Sequence, residues 1–279
     1  MTIPTVLLPD GTKVSALGLG TWHMGESASQ AASEEAVLRD GIERGLSLID
    51  TAEMYADGGS EKIVGAAIKG QRERVFLVSK IMPQNASAAG VARHCEASLK
   101  RLGTDHLDLY LLHWPGPYPL EQTIAAFEKL RAAGKIRHWG VSNFDTADME
   151  EVFATPGTNC ATNQVLYHPE ERGIEFDLLP WSRAKKMPVM AYSPLGQAGR
   201  LLRSPALKAV AQRHEATPAQ IAIAWSLRDG NTISIPKSAD PAHLRENARA
   251  ASIRLSEADL KEIDRAHKPP ARKMSLAML

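Results

Sequence analysis

Eight short apolar runs alternate along the chain with longer stretches of helical periodicity, which is the pattern of repeated βα units and a parallel sheet. The predicted strands are Leu17–Gly20, Leu48–Asp50, Val75–Lys80, Leu107–Leu112, Ile136–Ser142, Thr162–Val165, Val189–Tyr192 and Thr232–Pro236. Between and after them the periodicity predicts helices at Ser33–Arg44, Ser60–Lys69, Ala88–Leu102, Leu120–Ala133, Thr146–Phe153, Ile174–Lys186, Pro218–Leu227 and Pro241–Ala251. Ser60 and Thr217 suit N-caps, Pro218 suits a first helical turn, and Gly103 and Gly134 suit the residue just past a helix end. No linker or low-complexity stretch interrupts the series. The expectation is one α/β domain over residues 1–279, a closed (β/α)8 barrel.

Two further elements frame the repeat. Val6 and Val14 flank a Pro9-Asp10-Gly11 turn, a hairpin signal read as a plug or cap ahead of the barrel. Ser256, followed three residues later by Asp259, opens an extra helix after the last repeat. An open dinucleotide-binding sheet is the competing fold. It fits poorly, because Gly18-Leu-Gly20-Thr-Trp-His23 has histidine where the fingerprint needs its third glycine, and Asp50 falls later than the ribose-binding acid should.

In a parallel barrel the C-terminal strand ends converge on one rim, so polar residues there can share a pocket. Asp50, Lys80 and His113 each close an apolar run, and Tyr55 follows Asp50 by a few positions. A tyrosine beside a lysine and a histidine makes a proton-donating site. A free phenol titrates near pH ~10, so ready donation at neutrality needs a neighbour that stabilises phenolate, and Lys80 is the candidate. Further round the rim come Ser142-Asn143, Gln164, Tyr192-Ser193 and Lys237-Ser238. Their types suit amide recognition, ring stacking and phosphate binding.

Composition narrows the partners. With 33 Lys and Arg against 32 Asp and Glu, no bulk positive field draws the chain to nucleic acid or an anionic membrane. A small-molecule partner is favoured by default, and an apolar fraction of 44% is that of a core-forming protein. The opening Met1-Thr-Ile-Pro lacks a basic, then apolar, leader pattern, and no run is long enough to span a bilayer; the expected compartment is the cytoplasm. Cys95 and Cys160 have neither metal-ligand spacing nor a CxxC pair, and both are expected to stay reduced. The nine histidines form no HxH or HExxH pair, so no metal site is expected.

The motifs together resemble the aldo-keto reductase superfamily from about Leu17 to Ala266, most closely bacterial reductases of methylglyoxal and related small aldehydes. The matching stretches are Gly18-Leu-Gly-Thr-Trp22, Asp50-Thr-Ala-Glu-Met-Tyr55, Val78-Ser-Lys80, Leu109-Tyr-Leu-Leu-His-Trp-Pro115, Gly134 through Asn143, Asn163-Gln164, Tyr192-Ser-Pro-Leu-Gly196 and Ile235-Pro-Lys-Ser238. The resemblance implies NADPH-dependent reduction of small aldehydes and ketones, with Tyr55 as general acid and Asp50, Lys80 and His113 completing a tetrad. It implies that Tyr192 stacks on nicotinamide while Ser142, Asn143 and Gln164 bond its carboxamide, near Gly20, Thr21, Trp22 and Asp50. Ser193, Pro194, Leu195 and Gly196 would cross the pyrophosphate. Lys237 and Ser238 would meet the adenosine 2′-phosphate, with Ile235 also against the cofactor and Glu246 and Asn247 on adenine.

One departure stands out. Many members carry an arginine six residues after the phosphate lysine, and this chain has His243. With an unperturbed pKa near ~6.5, imidazole is only about a quarter protonated at pH 7, so preference for NADPH should weaken and NADH use becomes open. Trp22 and Trp114 are expected to line the substrate mouth together with Tyr55 and His113. The loop after His113 and the tail after Ala266 are short, so a shallow, open pocket is expected; whether Met274, Leu276, Met278 and Leu279 fold over the rim is undecided. A monomer is the expected state. The alternative reading is a nicotinamide-binding sensor or regulatory protein with little turnover.

Overall fold

In a computed structural model describing residues 3–279, strands β1 (Thr5–Leu7) and β2 (Lys13–Ser15) pair antiparallel, with Thr5 opposite Ser15. Met1 and Thr2, the first two residues of the stretch expected to lack a leader pattern, lie outside the described residues. Eight parallel strands follow: β3 (Gly18–Gly20), β4 (Leu48–Asp50), β5 (Phe76–Ile81), β6 (Leu107–Leu112), β7 (Ile136–Ser142), β8 (Cys160–Leu166), β9 (Val189–Tyr192) and β10 (Thr232–Ile235). Each pairs with its sequence neighbour. The barrel closes where β10 meets β3: Ser234 N donates to Ala16 O at 2.8 Å and Gly20 N to Pro236 O at 3.0 Å. A side chain at Gly20 would put its Cβ 2.7 Å from Ile235 O, so closure here depends on glycine.

Strand pleating splits the apolar residues into two cores. Leu48, Val78, Leu109, Leu111, Met190, Ile233 and Ile235 fill the barrel interior, plugged from one end by Val6, Leu8 and Val14 of the hairpin. Their strand neighbours, such as Ile49, Leu77, Tyr110 and Leu112, face outward into the helix layer. This parity places the chemistry. Asp50 is two residues beyond inward Leu48, Lys80 beyond Val78, His113 beyond Leu111, Tyr192 beyond Met190 and Lys237 beyond Ile235. All five therefore project from the interior side at one rim.

The helices are α1 (Ala31–Glu43), α2 (Gly59–Ile68), α3 (Ala88–Leu102), α4 (Leu120–Ala132), α5 (Thr146–Ala154), α6 (Leu178–Ala184), α7 (Pro205–Arg213), α8 (Pro218–Ser226), α9 (Pro241–Ala250) and α10 (Glu257–Ala266). Thr217 and Gln220 form a capping box on α8, Ser256 and Asp259 one on α10, and Gly103 ends α3 in the left-handed region. Three expectations need correction. Helix α7 was not foreseen, although Pro205 at its first position and the buried stripe Ala206, Leu207, Val210, Ala211 are its signature. The segment expected as one helix over Ile174–Lys186 is a turn at Gly173–Glu175 followed by the shorter α6.

Ser60 is the third. It does not cap α2; Gly58, at φ +78, holds that position, where a Cβ would lie 2.5 Å from Arg101 Cδ. The Ser60 hydroxyl instead turns inward to Thr21 Oγ1 at 2.7 Å, Thr21 O at 3.1 Å and Thr51 Oγ1 at 3.0 Å. It thereby ties the loops after β3 and β4 to α2. Among the described residues no helix is long and apolar enough to cross a membrane. Cys95 and Cys160 are both buried and unpaired, and burial pushes each thiol up to about 12.

Candidate active site

Lys80 is wholly buried, and an ammonium group has three protons to place. They go to Asp50 Oδ2 at 2.7 Å, Thr51 O at 2.9 Å and the Tyr55 hydroxyl at 3.2 Å. Burial alone would lower the lysine's pKa; Asp50, then Tyr55, outweigh it and hold Lys80 above its ordinary value, as ammonium. The second carboxylate oxygen of Asp50 accepts from Gln164 Nε2 at 2.7 Å, which fixes the ion pair from across the barrel. Because Lys80 occupies a lone pair of the Tyr55 oxygen, the phenol's own proton must point elsewhere, and Tyr55 lines the rim cavity.

The electrostatics of Tyr55 revise the expectation from sequence. Burial raises the phenol above 10, and the Lys80 charge only partly offsets that. The resting group is thus a neutral donor, not a phenol poised to ionise. Lys80 Nζ sits 4.8 Å from the centre of the Tyr55 ring, where its charge favours phenolate against the burial that opposes it.

Burial and the Lys80 charge push His113 down to about 2, so its imidazole is neutral. Its Nδ1 is buried without a partner, while the ring stands edge-on to Tyr55 with centroids 5.9 Å apart. Asn143 Nδ2 donates to His113 O at 3.0 Å and anchors the loop from the neighbouring strand.

The cavity above these groups has a volume of about 140 Å³. Of the residues singled out in the sequence, Gly20, Thr21, Trp22, Asp50, Tyr55, His113, Trp114, Ser142, Asn143, Gln164, Tyr192, Ser193, Ile235 and Lys237 all line it, with Lys80 directly beneath. Pro194, Leu195, Gly196 and Ser238 lie on the loops beyond, and His243, Glu246 and Asn247 on α9. Of these last three only Asn247 is buried.

The donors around the cavity are partly engaged with one another. Ser142 Oγ donates to Gln164 O at 2.8 Å, and Tyr192 Oη to Asn143 Oδ1 at 2.9 Å. Burial pushes the Tyr192 phenol up to about 12, against a backbone hydrogen bond from Leu279 that lowers it. With the Gln164 amide nitrogen held by Asp50, its carbonyl oxygen is left for a ligand.

Three wall residues were not assigned from sequence. Met54 precedes Tyr55 in its motif and was readable as a neighbour. Met278 and Leu279 come from the segment after α10 and settle where it goes: it crosses the rim, so the mouth is narrower than expected.

The chain that carries this buried Lys–Asp pair and its tyrosine matches a known family by sequence. A sequence model described as the Aldo/keto reductase family covers residues 16–268. The chain belongs to that family of oxidoreductases. It is similar to methylglyoxal reductase YeaE of Escherichia coli (strain K12), 55% identical over 269 residues spanning 95% of each chain. It is also similar to glyoxal reductase of Bacillus subtilis (strain 168), at 35% identity over 95% of this chain and 93% of that one. A crystal structure of an aldo-keto reductase from Klebsiella pneumoniae in complex with NADPH superposes with a TM-score of 0.97, at 51% identity and full coverage of both chains.

Proposed function

We propose that this protein reduces small aldehydes of the methylglyoxal kind, and also aromatic aldehydes and ketones, to alcohols at the expense of NADPH, with NADH as a weaker alternative. The observation that carries the reading is the three-way donation of Lys80, which leaves the Tyr55 proton directed away from the buried ion pair. The similarity to methylglyoxal and glyoxal reductases supports the substrate class. The NADPH complex of a half-identical structure supports the cofactor.

The residues at the rim fit a nicotinamide dinucleotide by their donor chemistry. Tyr192 lines the cavity, Gln164 offers a free amide oxygen to a carboxamide, Asn143 Oδ1 keeps one lone pair beside the bond it accepts from Tyr192, and Ser193 and Gly196 hold positive φ values of 48° and 56° in the loop expected at the pyrophosphate. Lys237 supplies an exposed cation at the far end. When bound, the cofactor supplies hydride to the carbonyl carbon.

The chain's own groups do the rest. Neutral His113, protonated on Nε2, donates to the substrate oxygen and fixes the carbonyl in place. As negative charge grows on that oxygen, Tyr55 gives it a proton. Lys80 then stabilises the phenolate, and Asp50 holds Lys80 in position. Trp22 and Trp114 wall the approach.

The test follows NADPH absorbance with methylglyoxal, aromatic aldehydes, sugars and keto esters, in the wild type and in Tyr55→Phe. Consumption with small aldehydes by the wild type is expected. Absence of turnover with every carbonyl would favour a cofactor-binding sensor instead.

A further inference from the structure

The segment from His267 to Leu279 leaves α10 and returns across the rim, tied down by Arg172 from the barrel and by its own Lys273. Arg172 Nη1 donates to His267 O at 2.6 Å and to Asp264 Oδ1 at 2.7 Å, holding the start of the segment to the barrel. Lys273 Nζ then lies 2.7 Å from Asp177 Oδ2 and 3.1 Å from Asp145 Oδ2. Both acceptors are fixed by the scaffold. Asp145 caps α5, accepting from Thr146 N at 2.7 Å, and Asp177 caps α6, accepting from Leu178 N at 2.9 Å. Beyond Lys273 every side chain is uncharged; Leu276 packs onto the outer core, and Met278 and Leu279 reach the cavity wall.

We propose that Lys273 is a positioning residue for substrate selection: its ion pairs with Asp145 and Asp177 hold Met278 and Leu279 as the outer wall of the cavity, favouring small aldehydes over bulky ones. This rests on the reading of the cavity as the carbonyl site. The cavity is about 140 Å³, so displacing two large side chains changes what it can admit. The latch is also weak enough to adjust. Lys273 is 45% exposed and its partners 29% and 27%, the range in which a pair shifts an equilibrium only severalfold and salt screens it.

The experiment compares kcat/KM for methylglyoxal and for benzaldehyde, at saturating NADPH, in wild type, Lys273→Met, Lys273→Arg and a variant lacking Ala277–Leu279. We expect Lys273→Met to raise the benzaldehyde-to-methylglyoxal ratio about two- to fivefold, through KM for benzaldehyde, with kcat for methylglyoxal little changed. Lys273→Arg should keep the wild-type ratio, and the deletion should raise it at least as far as Lys273→Met. Raising salt to about 1 M should move the ratio the same way in wild type but not in Lys273→Met. A raised ratio in the deletion with none in Lys273→Met would overturn the latch. No change in either would overturn the wall. Failure of the wild type to reduce either aldehyde would instead remove the functional reading beneath both.

Discussion

The Asp50–Lys80–Tyr55 corner and the stretch from Lys237 to Asn247 stand on the same rim, yet they are held by different physics. Lys80 is fully buried with every proton assigned, and Asp50 is held from two sides. Lys237 and His243 are exposed, and α9 beneath them is capped by Asp240, whose carboxylate accepts from Ala242 N at 2.6 Å and His243 N at 3.3 Å. A buried charge that loses its partner is left in a poor solvent, whereas an exposed one falls back on water. The first region therefore permits one arrangement of residue types. In the second, Lys237 and His243 face water, so a change of residue type there costs little stability.

The sharpest way to break that contrast is to remove one lysine from each region. Lys80→Met strands the Asp50 carboxylate and should cost about 3–5 kcal/mol of stability. Lys237→Met should stay within about 0.5 kcal/mol. Denaturant midpoints measure both, and equal losses would end the distinction.

A second effect is tied to pH. His113 is held at about 2 against an ordinary 6.5, so below pH 6.5 the unfolded chain takes up a proton that the folded chain refuses. Its contribution is fully present above pH 6.5 and is lost as pH falls toward 2, at about 1.4 kcal/mol per pH unit. His168, which burial pushes down to about 4, adds the same slope between 6.5 and 4. His113→Asn should flatten the acid limb of stability by one such slope. An unaltered limb would mean that the imidazole charges in the folded state.

The smallest effect belongs to the exposed end. His243→Arg should raise the NADPH-to-NADH efficiency ratio about two- to fivefold, the scale of an exposed ion pair. An unchanged ratio would put the 2′-phosphate somewhere other than beside α9.

The corner was legible in the sequence because a strand has a period of two. Apolar Leu48, Val78, Leu111, Met190 and Ile235 mark the inward face, and the polar residue two positions on inherits that face at the rim. Local chemistry also revealed the caps at Thr217, Ser256 and Gly103. Ser60 misled for the opposite reason: it has a cap's identity, but contacts with Thr21 and Thr51, distant in sequence, claim its hydroxyl. The rise in the Tyr55 pKa was not legible either, since pattern shows that a cation is near but not how much burial opposes it. The path of Met278 and Leu279 had no local signal at all. The contacts along it, Lys273 with Asp145 and Asp177 and Leu276 with the outer core, join positions far apart in the chain.

The central claim is that Tyr55 delivers the proton while the rim around Tyr192 holds the cofactor. The direct test is the rate of methylglyoxal reduction by Tyr55→Phe at saturating NADPH, alongside its NADPH affinity from quenching of tryptophan fluorescence. Loss of a general acid predicts a fall in kcat of about 10²–10⁴-fold with affinity near that of the wild type. A rate within about tenfold of wild type, with affinity intact, would contradict the assignment.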